Sequence, residues 1–177
     1  MKSLLPLTFP MLMLTWSVPA FAVTDALDIR EWRVPYEDSR PRDPYVAADG
    51  RVWFCGQAGA YIAVLDPRTG EFNKFDMEDN ERPHNLIIAN DGMVWYAGNT
   101  QGYIGRLDPV AGSIKKYPLP DGVNDPHTLV FNSEGNIWFT AQHSNVVGLF
   151  SVTTGETQVA SIQTPRGRES SYGTRHS

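Results

Sequence analysis

The chain has 177 residues, room for one domain of ordinary size, and its 41% hydrophobic and 20% charged residues are those of a soluble globular protein. A formal net charge of -5 and a pI near 5.3 argue against nucleic acid as a partner, because a phosphate backbone demands a basic face. The 15 Gly and 13 Pro are scattered along the chain, which suits many short strands joined by tight turns.

The first element in chain order is a processing signal. Lys2 gives a positive start, no acidic residue precedes Asp25, and an apolar run fills positions 4–16. Ala20-Phe21-Ala22 is a small-x-small cleavage site, so residues 1–22 read as a secretory signal and the mature chain as starting near Val23. The alternative is a membrane anchor, but Pro6 and Pro10 interrupt a run already short for a bilayer. The expectation is export to the periplasm or medium, with no membrane association after cleavage. One cysteine, Cys55, remains in the mature chain, so no intrachain disulfide forms. It follows Val52-Trp53-Phe54 in an apolar strand pattern and reads as a buried, inert thiol.

A repeat then organises the chain. Trp53, Trp95 and Trp138 stand 42 and 43 residues apart. Three positions before each lies a glycine (Gly50, Gly92, Gly135), and seventeen after each lies another (Gly70, Gly112, Gly155). Twelve before each lies a proline: Pro41, Pro83 and Pro126. Asp66-Pro67 and Asp108-Pro109 occupy one further column, which Ser151-Val152 fills in the third unit. Chance does not hold so many columns in register.

Within a unit, four strands follow. Leu86-Ile87-Ile88-Ala89 is a continuous apolar run suited to a strand buried on both faces. Asn90-Asp91-Gly92 is a tight turn, since Asp-Gly accepts positive φ. Met93-Val94-Trp95-Tyr96-Ala97 and Tyr103-Ile104-Gly105-Arg106-Leu107 are the second and third strands. After the turn Asp108-Pro109-Val110-Ala111-Gly112, Ser113-Ile114-Lys115-Lys116-Tyr117 alternates as an exposed outer strand should. No stretch carries sustained helical periodicity. Four strands per period of 42 or 43 residues imply an all-β chain, a β-propeller with three complete blades spanning residues 23–168, and the tryptophans as packing residues between blades.

Strand order places the segment entering each first strand beside the loop between strands two and three, on the face opposite the Asp-Gly turns. These loops are where the repeat loses uniformity. The entering segments read Arg42-Asp43, His84-Asn85 and His127-Thr128; the loops carry Gln57, Asn99, Gln142 and His143. Loops on a rigid scaffold are where sites are built. His84 and His127 share one register in adjacent blades and are expected to face a common axial opening, where histidine suits proton transfer or metal ligation. The bland alternative is that each Pro-His caps its strand. Asp43 and Asp125 stand close to the leading prolines and could assist a cation. Neither a carboxylate pair nor a nucleophile triad is visible.

Arg42-Asp43-Pro44-Tyr45, Asp49-Gly50-Arg51-Val52-Trp53-Phe54, Pro83-His84-Asn85-Leu86-Ile87, Ile104-Gly105-Arg106-Leu107-Asp108-Pro109 and Asp125-Pro126-His127-Thr128-Leu129 resemble the streptogramin B lyase (virginiamycin B lyase) family of propellers. The resemblance covers residues 30–168. It implies a seven-bladed ring and a magnesium-assisted lyase that opens a cyclic depsipeptide antibiotic by elimination at its ester. It also implies that the acid/base histidine and the metal-binding glutamates come from blades beyond the third, so those roles transfer to no residue here. Magnesium is thus an expectation of the resemblance alone. Arg42, Gln57, His84, Asn99, His127, Gln142 and His143 remain as candidates for lining the channel and contacting a small-molecule or cyclic-peptide ligand.

Pro165-Arg166 begins a fourth unit, yet residues 169–177 do not continue it, which reads as an aberrant tail of a truncated or frame-shifted product. A fragment of this kind is expected to lack the catalytic blades and to self-associate through open blade faces. Two other functions remain open: a sugar-lactone hydrolase built on a propeller, and a non-catalytic exported binding module.

Overall fold

Twelve strands follow one another in residues 28–163, the part of the chain that the computed structural model describes, and each pairs with its neighbour in sequence. Blade 1 comprises β1 (Pro41–Val46), β2 (Val52–Gly56), β3 (Tyr61–Asp66) and β4 (Glu71–Asp76). Blade 2 comprises β5 (Pro83–Ile88), β6 (Val94–Gly98), β7 (Tyr103–Asp108) and β8 (Ser113–Pro118). Blade 3 comprises β9 (Pro126–Phe131), β10 (Ile137–Ala141), β11 (Val146–Phe150) and β12 (Thr157–Ser161). Each blade is an antiparallel meander, no sheet closes on itself, and no helix occurs among the described residues: an all-β partial propeller. The leader expected at 1–22 and the aberrant tail expected at 169–177 lie outside the described residues.

The turns form as their residues require. Gly92 has φ +82°, its amide bonds the Ala89 carbonyl at 2.9 Å, and Asp91 Oδ1 accepts the Met93 amide at 3.0 Å. In the second turn Asp108 Oδ1 accepts the amides of Val110 and Ala111 at 2.9 and 3.0 Å. Ser151 does the same work in blade 3, its hydroxyl accepting the Thr154 amide at 3.2 Å, so the lost Asp-Pro pair leaves the turn intact.

The first strand begins earlier than its apolar run. β5 starts at Pro83, and its register with β6 shifts between Pro83 and Leu86; β1 shifts likewise between Arg42 and Tyr45. A proline has no amide for the ladder, and such irregularities re-aim side chains. His84 therefore sits in a strand rather than in the loop above it.

Packing between blades buries two of the repeat's three tryptophans. Trp53 stacks on Phe75, with centroids 5.8 Å apart, within a cluster containing Leu86, Val94, Tyr96 and Leu107 of blade 2. Trp95 stacks on Tyr117 at 5.7 Å and packs with Leu129, Ile137 and Phe150 of blade 3. Trp138 stays 42% exposed. Within a blade, glycine makes room for aromatic rings: a Cβ on Gly105 would lie 2.1 Å from Cζ of Tyr96, its cross-strand partner. Cys55 is fully buried and unpaired, and burial pushes its thiol far above the ordinary range, which leaves it inert.

Candidate functional site

The inner strands β1, β5 and β9 lie against one another, so residues at the same register of successive blades meet near the axis. Three do. His84 of blade 2 is 4% exposed, and its ring centroid lies 3.7 Å from that of His127 of blade 3. Arg42 of blade 1 brings a guanidinium nitrogen 2.6 Å from His84 Nε2, while its other terminal nitrogen donates to Gln57 Oε1 at 3.3 Å. Two main-chain bonds align the blades' loops for this: the Gln57 amide donates to the Arg40 carbonyl and the Asn99 amide to the Arg82 carbonyl, each at 3.2 Å.

Chemistry follows from the donor count. A guanidinium only donates, so His84 Nε2 accepts and the ring is neutral with its proton on Nδ1. Asp43 Oδ2 lies 3.2 Å from Nδ1 but out of line, and the nitrogen has no well-directed hydrogen-bond partner. Burial first, then the nearness of His127 and Arg42, depress the His84 pKa to about 4 against the opposing pull of Asp43. His84 is thus a neutral prop for Arg42, with its Nε2 lone pair committed. His127 is half-buried and its Nδ1 lies 3.1 Å from the Thr128 hydroxyl, so its ring carries no bond to Arg42. The cluster presents one fixed cation and, beside it, an imidazole whose Nδ1 is shared with the Thr128 hydroxyl.

The remaining candidates sit elsewhere. Asn99 donates through Nδ2 to the Pro126 carbonyl at 2.9 Å, a latch between blades 2 and 3. Asn99 and His143 line one open groove of about 450 Å3, together with Asn124, Asp125 and Ser144. His143 is exposed, with Nδ1 2.9 Å from Asp125 Oδ2; Gln142 is also exposed. Asp125 is engaged by its own loop: Oδ1 accepts the Ser144 hydroxyl at 2.6 Å and the Ser144 amide at 3.1 Å, and Oδ2 accepts the His143 amide. Burial raises its pKa, but those bonds outweigh it and hold the carboxyl below its ordinary value.

Two features escaped the sequence pattern. Asn85 Oδ1 accepts the Leu129 amide across the blade boundary at 2.8 Å. Glu81 is buried two places before Pro83, accepting the Tyr103 hydroxyl at 2.8 Å and pairing with Lys116. The signal for Glu81 was a carboxylate at a fixed offset from the leading proline, a column that reads Ser39 in blade 1, where the Tyr61 hydroxyl is the partner.

Magnesium fits none of these groups. It seeks carboxylate and water oxygens in octahedral geometry, whereas Arg42 dominates the axial cluster and Asp125 is saturated by donors. Among the described residues no cluster of three His, Cys, Asp or Glu side chains could hold a metal ion.

Comparison with known proteins follows the same lines. Solved structures with the same fold include virginiamycin B lyase from Staphylococcus aureus, with 26% identity, a TM-score of 0.66, and coverage of 72% of this chain and 43% of that one. A streptogramin B lyase structure gives 26% identity and a TM-score of 0.70 over 76% of this chain and 45% of that one. A catalytically inactive variant of the S. aureus enzyme, solved with quinupristin, gives 23% identity, a TM-score of 0.70, and coverage of 77% and 46%. This chain therefore spans less than half the length of these relatives. A search of the curated proteins gives no significant match. The family model for virginiamycin B lyases matches residues 22–169, taking in all three blades and the axial cluster, and the chain belongs to that family.

Proposed function

We propose that this chain forms one side of the ligand mouth of an exported propeller of the streptogramin B lyase type, acting on an ester-linked cyclic peptide. The observation that carries this reading is the convergence of Arg42, His84 and His127, one side chain from each of three successive blades. In ring opening by elimination, a base removes the proton α to a carbonyl, charge gathers on the carbonyl oxygen, and the ester C–O bond breaks. The products are a carboxylate and an alkene, and no water is consumed. Arg42, braced by neutral His84 and Gln57, suits the oxygen that gains charge. His127, packed against His84, lines the mouth beside Arg42, while the acid/base histidine that the family resemblance implies belongs to blades beyond these three. Magnesium, and the residues that would bind it, are an expectation of the family resemblance and belong to blades beyond these three. The leader at residues 1–22 supports action outside the cytoplasm.

The test is a calorimetric titration of the chain with quinupristin, beside an Arg42→Met variant. The variant should bind at least about tenfold more weakly, the loss expected for one charge-assisted hydrogen bond. Equal affinity in the variant, or no binding by the parent chain, overturns the reading. Mass spectrometry of the ligand after incubation with magnesium and a reconstructed full-length form carrying the further blades separates mechanisms. Opening at unchanged mass marks elimination, gain of one water marks a lactone hydrolase, and binding without opening marks a binding module.

A further inference from the structure

Blade 1 runs its inner strand differently from the other two. In blades 2 and 3 the irregular step falls on the histidine and its successor. His84-Asn85 stand unpaired between Pro83 and Leu86, and His127-Thr128 between Pro126 and Leu129. In blade 1 Arg42 stays in the ladder opposite Cys55, and the unpaired residues are Asp43-Pro44. The bulge has moved one place along the chain. Asp43 takes φ +43° there, a left-handed conformation that its counterparts Asn85 and Thr128 do not adopt. Backbone strain of this kind persists where the surroundings hold it, and it collects at ligand-binding sites.

The displaced bulge changes what reaches His84. Arg42 and Asp43 are adjacent and opposite in charge, yet both turn to one imidazole. The guanidinium lies 2.6 Å from Nε2, and Asp43 Oδ2 lies 3.2 Å from Nδ1. Because Nε2 accepts from Arg42, the ring proton sits on Nδ1, which is buried and has no well-directed partner. A buried N–H without an acceptor is costly. The ring could escape that cost by moving the proton to Nε2, which would then face the guanidinium donor to donor and release Arg42. The Asp43 carboxylate opposes that escape, since its negative charge favours a proton on the nitrogen beside it. Such contacts are often long in a ligand-free site and tighten when ligand enters.

We propose that Asp43 is a positioning residue of the axial cluster: it holds the His84 proton on Nδ1 and so keeps Nε2 available to fix Arg42. The displaced bulge is what carries the carboxylate to the ring. The consequence for ligand affinity rests on the reading of the mouth given above; the consequence for the imidazole does not.

Nitrogen-15 NMR of the His84 ring in the full chain at pH 7 reads the tautomer, with two substitutions that both tolerate the left-handed backbone. Asp43→Gly removes the acceptor, whereas Asp43→Asn keeps an accepting oxygen. The parent should show a single tautomer protonated on Nδ1. Asp43→Gly should show a mixture of tautomers and bind quinupristin about fivefold to tenfold more weakly, an indirect loss close to that of one hydrogen bond. Asp43→Asn should restore the single tautomer and most of the affinity. Circular dichroism checks that both variants are folded. Parent-like ring signals in Asp43→Gly would mean that the residue serves the bulge alone, and overturn the proposal. A parent protonated on Nε2, or no restoration by Asp43→Asn, also overturns it. If the parent binds no quinupristin, the reading of the mouth fails, and the ring signals by themselves decide the role of Asp43.

Discussion

His84 shows how a side chain's surroundings set its charge. Folding lowers its pKa from the ordinary 6.5 to about 4, so between those values the unfolded chain takes up a proton that the folded chain refuses. Stability should fall as pH drops through that window, by up to about 3 kcal/mol if the whole shift is expressed. Urea midpoints at pH 7 and pH 4.5 measure the loss, and a His84→Gln variant should show a shallower dependence. An equal slope in the variant would assign acid sensitivity to other groups. Gly105 is a second residue-scale case. Its missing Cβ leaves space that the Tyr96 ring fills, so Gly105→Ala should destabilise by about 3 kcal/mol through overpacking, read from the same denaturation curves. The common register of His84 and His127 was legible from spacing. The bond from Arg42 was not, because a one-dimensional repeat records equivalence and carries no distance between neighbouring blades.

Elements repeat, but their energetics do not. Trp95 and Trp138 hold the same position in β6 and β10, yet one is buried between blades and the other faces outward. Trp95→Ala should cost about 3–5 kcal/mol, and Trp138→Ala about 1 kcal/mol or less, read from urea denaturation. Similar losses at both sites would contradict the surroundings described for blade 3. The turns were readable in full, since Asp-Gly and Asp-x-x-x-Gly carry their own hydrogen bonds, and Ser151 keeps the pattern by substituting one oxygen for another. The start of the first strand was not. Apolar periodicity begins at Leu86, but β5 begins at Pro83, held by a pairing whose register shifts.

Across the whole molecule, the family assignment and the three-blade architecture agree, while the chain spans less than half of its solved relatives. Periodicity determined a good deal without coordinates: the number of blades, their strand order, the turns, and the face on which histidines gather. These follow from local rules, since strand alternation and turn conformation are decided within a few residues. The tertiary structure decided the rest. It made His84 neutral, committed Asp125 to its own loop, and joined Arg42 to His84 across a blade boundary. Desolvation and packing depend on which residues become neighbours across blades, and that is a property of three dimensions.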